Sequence, residues 1–374
     1  MRCSITRELD TIEDFLKQKG QLHCAVVQGL DLTKVDINWQ RLDFRGAVFL
    51  GCTFPKEITA EYLLSEGAVI FPKFPRLPYD PYRSSLYSRA ELMEGWSVKE
   101  DVSVDRQIYD HFVKMGQSKP DILESLSQRL HDHAVDDGVR DLLEGKTESG
   151  GPKRVVGIMG GHGTSRTDPY YKKVVRLARD LSKAGYFIAS GGGPGTMEAA
   201  NLGAWLVNAS DSELEVVFEI LSEAPIFTSA GYMEAAQAVL ELHPDGGSSI
   251  AVPTWFYGHE PTNLFSIHIA KYFSNSIRED GLLAIATHGV VFAPGSAGTT
   301  QEIFMDATQN HYVTFGEISP MLFLGEKRYK EETMLFPCLQ QLAEGRSYKD
   351  YLFCSDSVEP AVSFIQEHPP LKVI

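Results

Sequence analysis

Short apolar runs alternate with amphipathic segments through the second half of the chain. Residues 155–159, 186–190, 248–254, 289–293 and 320–324 form these runs, and each is apolar along most of its length. Strands that are covered by helices on both faces have this composition. The segments between them repeat apolar residues at helical spacing. The alternation therefore predicts an α/β fold built on a doubly wound parallel sheet.

Residues 1–103 show a different pattern and predict a smaller N-terminal accessory region. Short alternating segments, typical of strands, are followed by four prolines between residues 72 and 81, which interrupt regular structure. Two interleaved series of apolar residues recur at every fifth position. This period indicates a short pentapeptide-type β-helix, although adjacent ordinary strands would scatter aromatic residues in the same way. The two series are Trp39, Phe44, Phe49 and Phe54, and Ile37, Leu42, Ala47 and Cys52.

A helical connector is predicted between the accessory region and the sheet. Apolar residues between positions 104 and 143 repeat at near-helical spacing, and the polar segment 145–153 marks the best domain boundary. The predicted organisation is an accessory region (1–103), a helical connector (104–150) and an α/β domain (151–374).

The charge balance and composition limit the partners. The sequence carries a formal net charge of −15, which disfavours a polyanion such as DNA or RNA. The N-terminus lacks the apolar core of a signal peptide, and no stretch of about 18 apolar residues occurs. We therefore expect a cytoplasmic protein with no membrane or nucleic acid partner. Five cysteines without a CxxC pair predict reduced thiols and no zinc site.

Glycine is concentrated in three loops that follow predicted strands. Residues 160–163 follow the first strand, residues 191–195 the second, and residues 294–298 a later one. In open parallel sheets, ligands bind at the carboxyl ends of the strands. Glycine lets the backbone approach a phosphate closely, and the free amides of a following helix attract the anion. One such loop is often only a tight turn, but three in one sheet predict a phosphate site.

Two common nucleotide sites are disfavoured. An NAD site needs an acidic residue at the end of the second strand, where this chain has Ser190 and Gly191. ATP hydrolysis with magnesium needs the GxxxxGK[ST] pattern, which the sequence lacks. We expect no metal and no organic cofactor. Base recognition is expected from His162, Arg166 and residues 211–243, which are longer than one crossover needs and predict an insertion beside the site.

Glu302 and Arg278 are the candidate catalytic residues. Glu302 follows the third loop, where a carboxylate can stabilise the oxocarbenium-like state of a glycosidic bond and orient the attacking water. The alternative is a capping box, in which Thr299 caps the helix and Glu302 bonds back to the cap amide. Arg278 precedes the strand that leads into this loop and can reach the same crevice. The alternative for Arg278 is a solvated arginine on a helix face.

The second and third loops resemble those of a known family. Residues 294–302, PGSAGTTQE, resemble the PGGxGTxxE motif of the Lonely Guy (LOG) proteins, and residues 191–197, GGGPGTM, resemble their GGGxxGxM loop. The stretches 260–263 and 288–295 are similar to the larger bacterial nucleotide 5′-monophosphate nucleosidases of that superfamily. The resemblance covers residues 155–325 and implies a Rossmann-like fold. Proteins with the PGGxGTxxE loop are also labelled lysine decarboxylases, but no lysine here stands out as a pyridoxal phosphate ligand.

The resemblance implies a phosphoribohydrolase that acts as a homodimer without a cofactor and splits a nucleoside 5′-monophosphate into free base and ribose 5-phosphate. The family's catalytic glutamate and arginine fall on Glu302 and Arg278. The chain departs from the family at Ser296, where a glycine is usual, and at Glu279, where a lysine is usual. The alternative is a module of the same fold that binds or senses a nucleotide without cleaving it. The residues implied to contact the substrate are Gly160, Gly161, Gly191, Gly192, Gly193, Gly195, Thr196, Asn263, Gly295, Ser296, Ala297, Gly298, Thr299 and Thr300.

Overall fold

A computed structural model of the chain describes residues 7–18, 20–147 and 151–373. These residues form two compact units. The first unit comprises the chain up to Leu86 together with Ser118–Gly138, and the second comprises Tyr87–Gln117 and the chain from Val139 onward. Residues 148–150, which are part of the predicted boundary segment, lie outside the described residues.

The first unit is a short solenoid of parallel strands. Its four strands pair side by side in chain order, and every pairing is parallel. Parallel bridges from Gln21 to Asp43 and from Asp31 to Thr53 join successive coils on other faces. This stacking favours the β-helix alternative, and the residues of both five-residue series line the apolar interior. The elements are β1 (Arg7–Leu9), α1 (Ile12–Lys17), β2 (Ala25–Gln28), β3 (Val48–Leu50), α2 (Ala60–Ser65) and β4 (Val69–Phe71).

The second unit is built on a seven-stranded sheet in which every pairing is parallel. From edge to edge its strands are β12 (Leu352–Ser355), β11 (Met321–Leu324), β9 (Val290–Phe292), β5 (Val155–Met159), β6 (Phe187–Ser190), β7 (Ser249–Ala251) and β8 (His268–Ile269). The chain runs outward from β5 to β8, returns to β9 on the other side of β5, and continues to β12. The doubly wound parallel fold is confirmed, and its switch point lies between β5 and β9.

Helices flank this sheet. Strand side chains such as Ile158, Ile188, Val291 and Leu322 are fully buried, as the apolar runs predict. A short antiparallel pair joins β10 (Glu317–Ile318) to β13 (Leu371–Lys372). Across the described residues, no helix is both long enough and apolar enough to span a membrane. The remaining helices of the described residues, among which α5 begins in the first unit and ends in the second, are α3 (Arg89–Met93), α4 (Val104–Lys114), α5 (Ile122–Leu143), α6 (Pro169–Lys183), α7 (Thr196–Trp205), α8 (Asp211–Ser222), α9 (Tyr232–Leu242), α10 (Asn275–Ile285), α11 (Ala297–Tyr312), α12 (Leu335–Leu342) and α13 (Val358–Glu367).

The cysteines differ in oxidation state. Cys52, Cys338 and Cys354 are free thiols, whereas Cys24 is disulfide-bonded. The prediction of reduced cysteines is therefore wrong at Cys24. A count of cysteines and their spacing carries no information about which side chains the fold brings together. Cys3 lies outside the described residues.

Arg166 is a structural residue of the second unit. Its side chain is 1% exposed and forms an ion pair with Glu198, with 2.6 Å between Nη2 and Oε1 and 2.9 Å between Nε and Oε2. Its Nη1 donates to the carbonyls of Ala224 and Tyr232, which belong to the α8–α9 segment predicted as an insertion. All three guanidinium nitrogens are thus bonded within the fold, and the predicted contact of Arg166 with the base is wrong.

We predict that Arg166→Met lowers the free energy of unfolding by about 3–5 kcal/mol, because it leaves the Glu198 carboxylate buried without its cation. The matched control is Arg176→Met, whose ion pair with Glu215 is partly exposed and whose loss costs about 1 kcal/mol or less. Urea denaturation of both variants measures the difference. Equal losses in the two variants would contradict the assignment.

Candidate functional site

The three glycine-rich loops meet at the point of the sheet where the strand order reverses. Loop one (160–163) follows β5, loop two (191–195) follows β6 and loop three (294–298) follows β9. Because β9, β5 and β6 are neighbours in a parallel sheet, their carboxyl ends bring all three loops to one edge. Loops one and three flank the switch point, where open parallel sheets form ligand crevices.

Backbone hydrogen bonds join these loops to one another. The Gly161 amide donates to the Pro294 carbonyl over 3.1 Å, and the Gly161 carbonyl accepts from the Thr196 amide over 3.1 Å. Gly195 has a φ of +69°, and a Cβ atom there would lie 2.6 Å from the carbonyl oxygens of Gly161 and His162. Only glycine permits this approach of loop two to loop one.

Thr196 fills the space between loops one and two. It is buried, and its hydroxyl lies 3.1 Å from the hydroxyl of Thr164, which also donates to the Gly161 carbonyl. A Cβ atom on Gly160 would lie 2.6 Å from the Thr196 methyl group. The structure therefore brings Gly160, Gly161 and Thr196 together, and their contact with a substrate stays a prediction.

The start of α11 offers free amides at the switch point. Ser296 is the N-cap, and the first helical bond runs from the Thr300 amide to the Ser296 carbonyl. The amides of Ala297, Gly298 and Thr299 precede this bond and have no acceptor within the helix. Residues 296–298 are exposed, so an anion can reach these amides. The Thr300 hydroxyl donates to the Ser296 carbonyl, and in this arrangement it is part of the cap.

Arg328 adds a cation beside loop three that the sequence did not predict. Its Nη2 donates to the Gly295 carbonyl over 2.9 Å. A Cβ atom on Gly295 would overlap the hydroxyl of Thr299, so the turn before α11 also requires glycine. Arg328 lies in the short helical turn Lys327–Glu332 after β11, and no motif marks that segment in the sequence.

Glu302 faces the interior of the second unit and does not cap α11. The helix begins at Ala297, and no side chain makes a cap hydrogen bond at Ser296. The capping-box alternative is therefore wrong, because Glu302 lies in the second turn, too far along the helix to reach a cap amide. Its Oε1 instead lies 3.9 Å from Nη1 of Arg278 on α10. Only 14% of the Glu302 side chain is exposed.

Burial dominates the electrostatics of Glu302. Desolvation raises the pKa of its carboxyl to about 7, the Arg278 guanidinium opposes this rise, and the Glu279 carboxylate adds to it. A 3.9 Å separation is too long for a hydrogen bond, so Arg278 offsets only part of the desolvation. The carboxyl is consequently suited to exchange a proton near neutral pH.

Arg278 is held in place by its neighbours on α10. Its Nη2 donates to Asn275 Oδ1 over 2.6 Å and lies 3.3 Å from Glu279 Oε1. Arg278 is buried, so the alternative of a solvated arginine is wrong. Glu279 also accepts a hydrogen bond from Gln301 Nε2 over 2.7 Å and so links α10 to α11. Within the described part of the chain, Arg278 Nε has no hydrogen-bond partner.

Loop two rests on a buried amide network. Ser190 Oγ donates to Asn201 Oδ1 over 2.6 Å and accepts from the Gly192 amide over 3.1 Å. Asn263 Nδ2 donates to the same Asn201 oxygen over 2.9 Å, and its Oδ1 accepts from the Phe265 amide. Asn263 therefore supports loop two through Asn201 and Ser190. Its contact with a substrate stays a prediction. Gly191, Gly192 and Gly193 are buried.

Two solved structures are distantly similar to part of the chain. No protein-family model and no curated protein matches the chain. The molybdenum cofactor carrier protein of Chlamydomonas reinhardtii superposes with a TM-score of 0.36 at 16% identity, over 57% of this chain and 97% of that one. The molybdenum cofactor binding protein of Rippkaea orientalis gives 0.36 at 15% identity, over 57% and 96%. At these identities the similarity concerns the fold alone.

Asp306, one turn beyond Glu302 on α11, is a second buried carboxyl that the sequence did not single out. It is 2% exposed, and burial raises its pKa well above the usual value. Its Oδ2 has no hydrogen-bond partner among the residues that the structure describes. A buried carboxyl without a partner favours its protonated form in the folded protein.

We predict that Asp306→Asn stabilises the protein increasingly as the pH rises. Because the folded pKa lies above the unfolded value of 3.8, the wild type loses stability as the pH rises from 3.8 toward the folded pKa. The loss is at most about 1.4 kcal/mol per pH unit, and asparagine, which does not titrate, avoids it. Urea denaturation between pH 4 and pH 8 measures the difference. The exposed control Asp350→Asn should show no such trend, and parallel curves for both variants would contradict the prediction.

Proposed function

We propose that the chain hydrolyses the N-glycosidic bond of a nucleoside 5′-monophosphate, giving free base and ribose 5-phosphate. The observation that carries the proposal is the buried Glu302 carboxyl beside Arg278, on the helix whose free amides lie at the switch point. The helical rise of 1.5 Å per residue puts Glu302 about 5–8 Å beyond the amides of residues 297–299. A nucleotide held by its phosphate at these amides would extend its sugar toward the carboxyl.

The amides at the start of α11 are the proposed 5′-phosphate site. Free helix N-terminal amides and the positive end of the helix dipole favour a phosphate. Arg328, anchored on the Gly295 carbonyl, adds positive charge next to them. Ser296 stands at the exposed N-cap, where the resembling family has glycine, and its hydroxyl would add a hydrogen-bond donor to the phosphate. We include Gly295, Ala297, Gly298 and Thr299 in this phosphate site, and the loop-two residues Gly191, Gly192, Gly193 and Gly195 in the proposed substrate site next to it.

Glu302 and Arg278 are the proposed catalytic residues. Water adds its hydroxyl to C1′ while the C1′–N bond breaks and its electron pair leaves with the base. Glu302 takes the proton of the attacking water, and this proton can end on the departing base nitrogen. The ionised carboxylate also stabilises the oxocarbenium-like state. Arg278 faces the carboxylate at 3.9 Å, and its charge keeps part of the carboxyl population ionised at neutral pH. The role needs no metal or organic cofactor.

A homodimer is part of the proposal. The α11 helix exposes Phe304 at 36% and Tyr312 at 74%, and these apolar surfaces suit contact with a second copy of the chain. Residues from a partner helix would then border the crevice at the start of α11.

We predict that the purified protein releases base from at least one nucleoside 5′-monophosphate and from none of the matching nucleosides, because the phosphate anchors the substrate. Glu302→Gln should lower kcat by about 10²–10⁴-fold with little change in KM, since the carboxylate acts mainly in the transition state. Chromatography of free base and ribose 5-phosphate measures the reaction. The matched control is Glu241→Gln at an exposed position, which should leave kcat unchanged.

The same panel separates the enzyme from a binding module of this fold. Thermal stabilisation by a nucleotide, without base release, would favour the binding module and contradict the proposed reaction. Equal activity of wild type and Glu302→Gln would remove Glu302 from the mechanism.

A further inference from the structure

The carboxylate of Glu260 lies directly against loop two. A Cβ atom on Gly193 would lie 2.6 Å from Glu260 Oε2, so the glycine leaves just enough space for this oxygen. Glu260 is half-buried and belongs to the segment between β7 and β8. Throughout the described ranges, no hydrogen bond or ion pair involves its carboxylate. A charged acceptor is therefore held at the loop with its hydrogen-bonding capacity unused.

Glu260 and Arg278 both lie close to loop two, in the neighbourhood of Met197. A Cβ atom added to Gly191 would lie 2.6 Å from Met197 Sδ and 3.8 Å from Arg278 Nη1. The Cβ position of Gly193 meets Met197 Cε at 2.8 Å as well as Glu260. Both glycine positions thus meet Met197, with Arg278 close to the first position and Glu260 close to the second. Glu302 faces Arg278, so the two carboxylates border the same region.

The backbone that carries Glu260 is fixed on both sides. Earlier in the chain, Pro253 packs against Gly192, where an added Cβ atom would lie 2.7 Å from Pro253 Cδ. After it, Thr262 Oγ1 donates to the buried carboxylate of Asp105 over 3.1 Å, and Asn263 is bonded to Asn201. This support restrains the backbone on either side of Glu260 before a ligand arrives, which lowers the entropic cost of binding.

We infer that Glu260 accepts hydrogen bonds from the ribose hydroxyls of the substrate and sets a preference for ribose over 2-deoxyribose. A carboxylate repels phosphate, but its two oxygens suit two neighbouring hydroxyl donors. The 2′-hydroxyl is borne by the carbon next to C1′, so a residue beside Arg278 and Glu302 is well placed to bind it. The inference rests on the proposed function, since it assumes a sugar phosphate in this crevice.

The test compares ribose 5-phosphate with 2-deoxyribose 5-phosphate by isothermal titration calorimetry, because neither ligand needs turnover. Wild type should bind ribose 5-phosphate about 10–100-fold more tightly, the range expected for a hydrogen bond to a charged group. Glu260→Ala should weaken binding of ribose 5-phosphate by this factor, leave 2-deoxyribose 5-phosphate unchanged and so abolish the preference. Glu260→Gln, which retains one acceptor oxygen, should keep part of it. The exposed control Glu241→Ala should behave as wild type.

Equal binding of both sugars to wild type, binding of neither, or an equal loss of both in Glu260→Ala would overturn the inference. A purely structural role for Glu260 would weaken both ligands together and lower the melting temperature. A preserved ribose preference without base release from any nucleotide would contradict the proposed reaction while supporting the assignment of Glu260. The two failures are thus distinguishable.

Discussion

The candidate site depends on the two backbone hydrogen bonds of Gly161. Its amide donates a hydrogen bond to loop three, and its carbonyl accepts one from the first amide after loop two. This single residue therefore fixes the spacing of the loops that follow β5, β6 and β9. Each such bond contributes only about 1 kcal/mol net, but leaving a buried partner unsatisfied costs more. Side chains at Gly160 or Gly195 would push the loops apart. The glycine-rich composition of these loops follows from that close approach.

The second constraint is the balance between burial and charge at Glu302. Burial alone would keep the carboxyl protonated, and a close contact with Arg278 would keep it ionised. The Glu302 carboxyl lies between these two limits. Asn275 and Glu279 hold the Arg278 guanidinium and leave 3.9 Å between it and the nearest Glu302 oxygen. Glu279 contributes to this balance through its own charge.

The sequence predicted the features that follow from local pattern. Apolar runs gave the five strands at the centre of the sheet, and glycine clusters gave the loops at their carboxyl ends. It could not predict features that arise from contacts between distant segments. Arg166 has the appearance of a polar loop residue, but Glu198 and two carbonyls of the α8–α9 segment bury it. Glu260 is 67 residues beyond Gly193 in the chain, and no spacing rule connects them. The capping alternative also misplaced the start of α11, because Thr299 resembles a cap residue whereas the N-cap is Ser296, three residues earlier.

The most direct test of the account is the pKa of Glu302 itself. Proteins labelled with ¹³C at the glutamate carboxyl group can be titrated by NMR, with Glu302→Gln used to assign the resonance by its disappearance. The account predicts a midpoint near pH 7, set by burial and only partly offset by Arg278. Replacing Arg278 with methionine should raise this midpoint further, because the opposing cation is lost. A wild-type midpoint near 4.5, the usual value for a glutamate, would show that the carboxyl is solvated and would contradict the account.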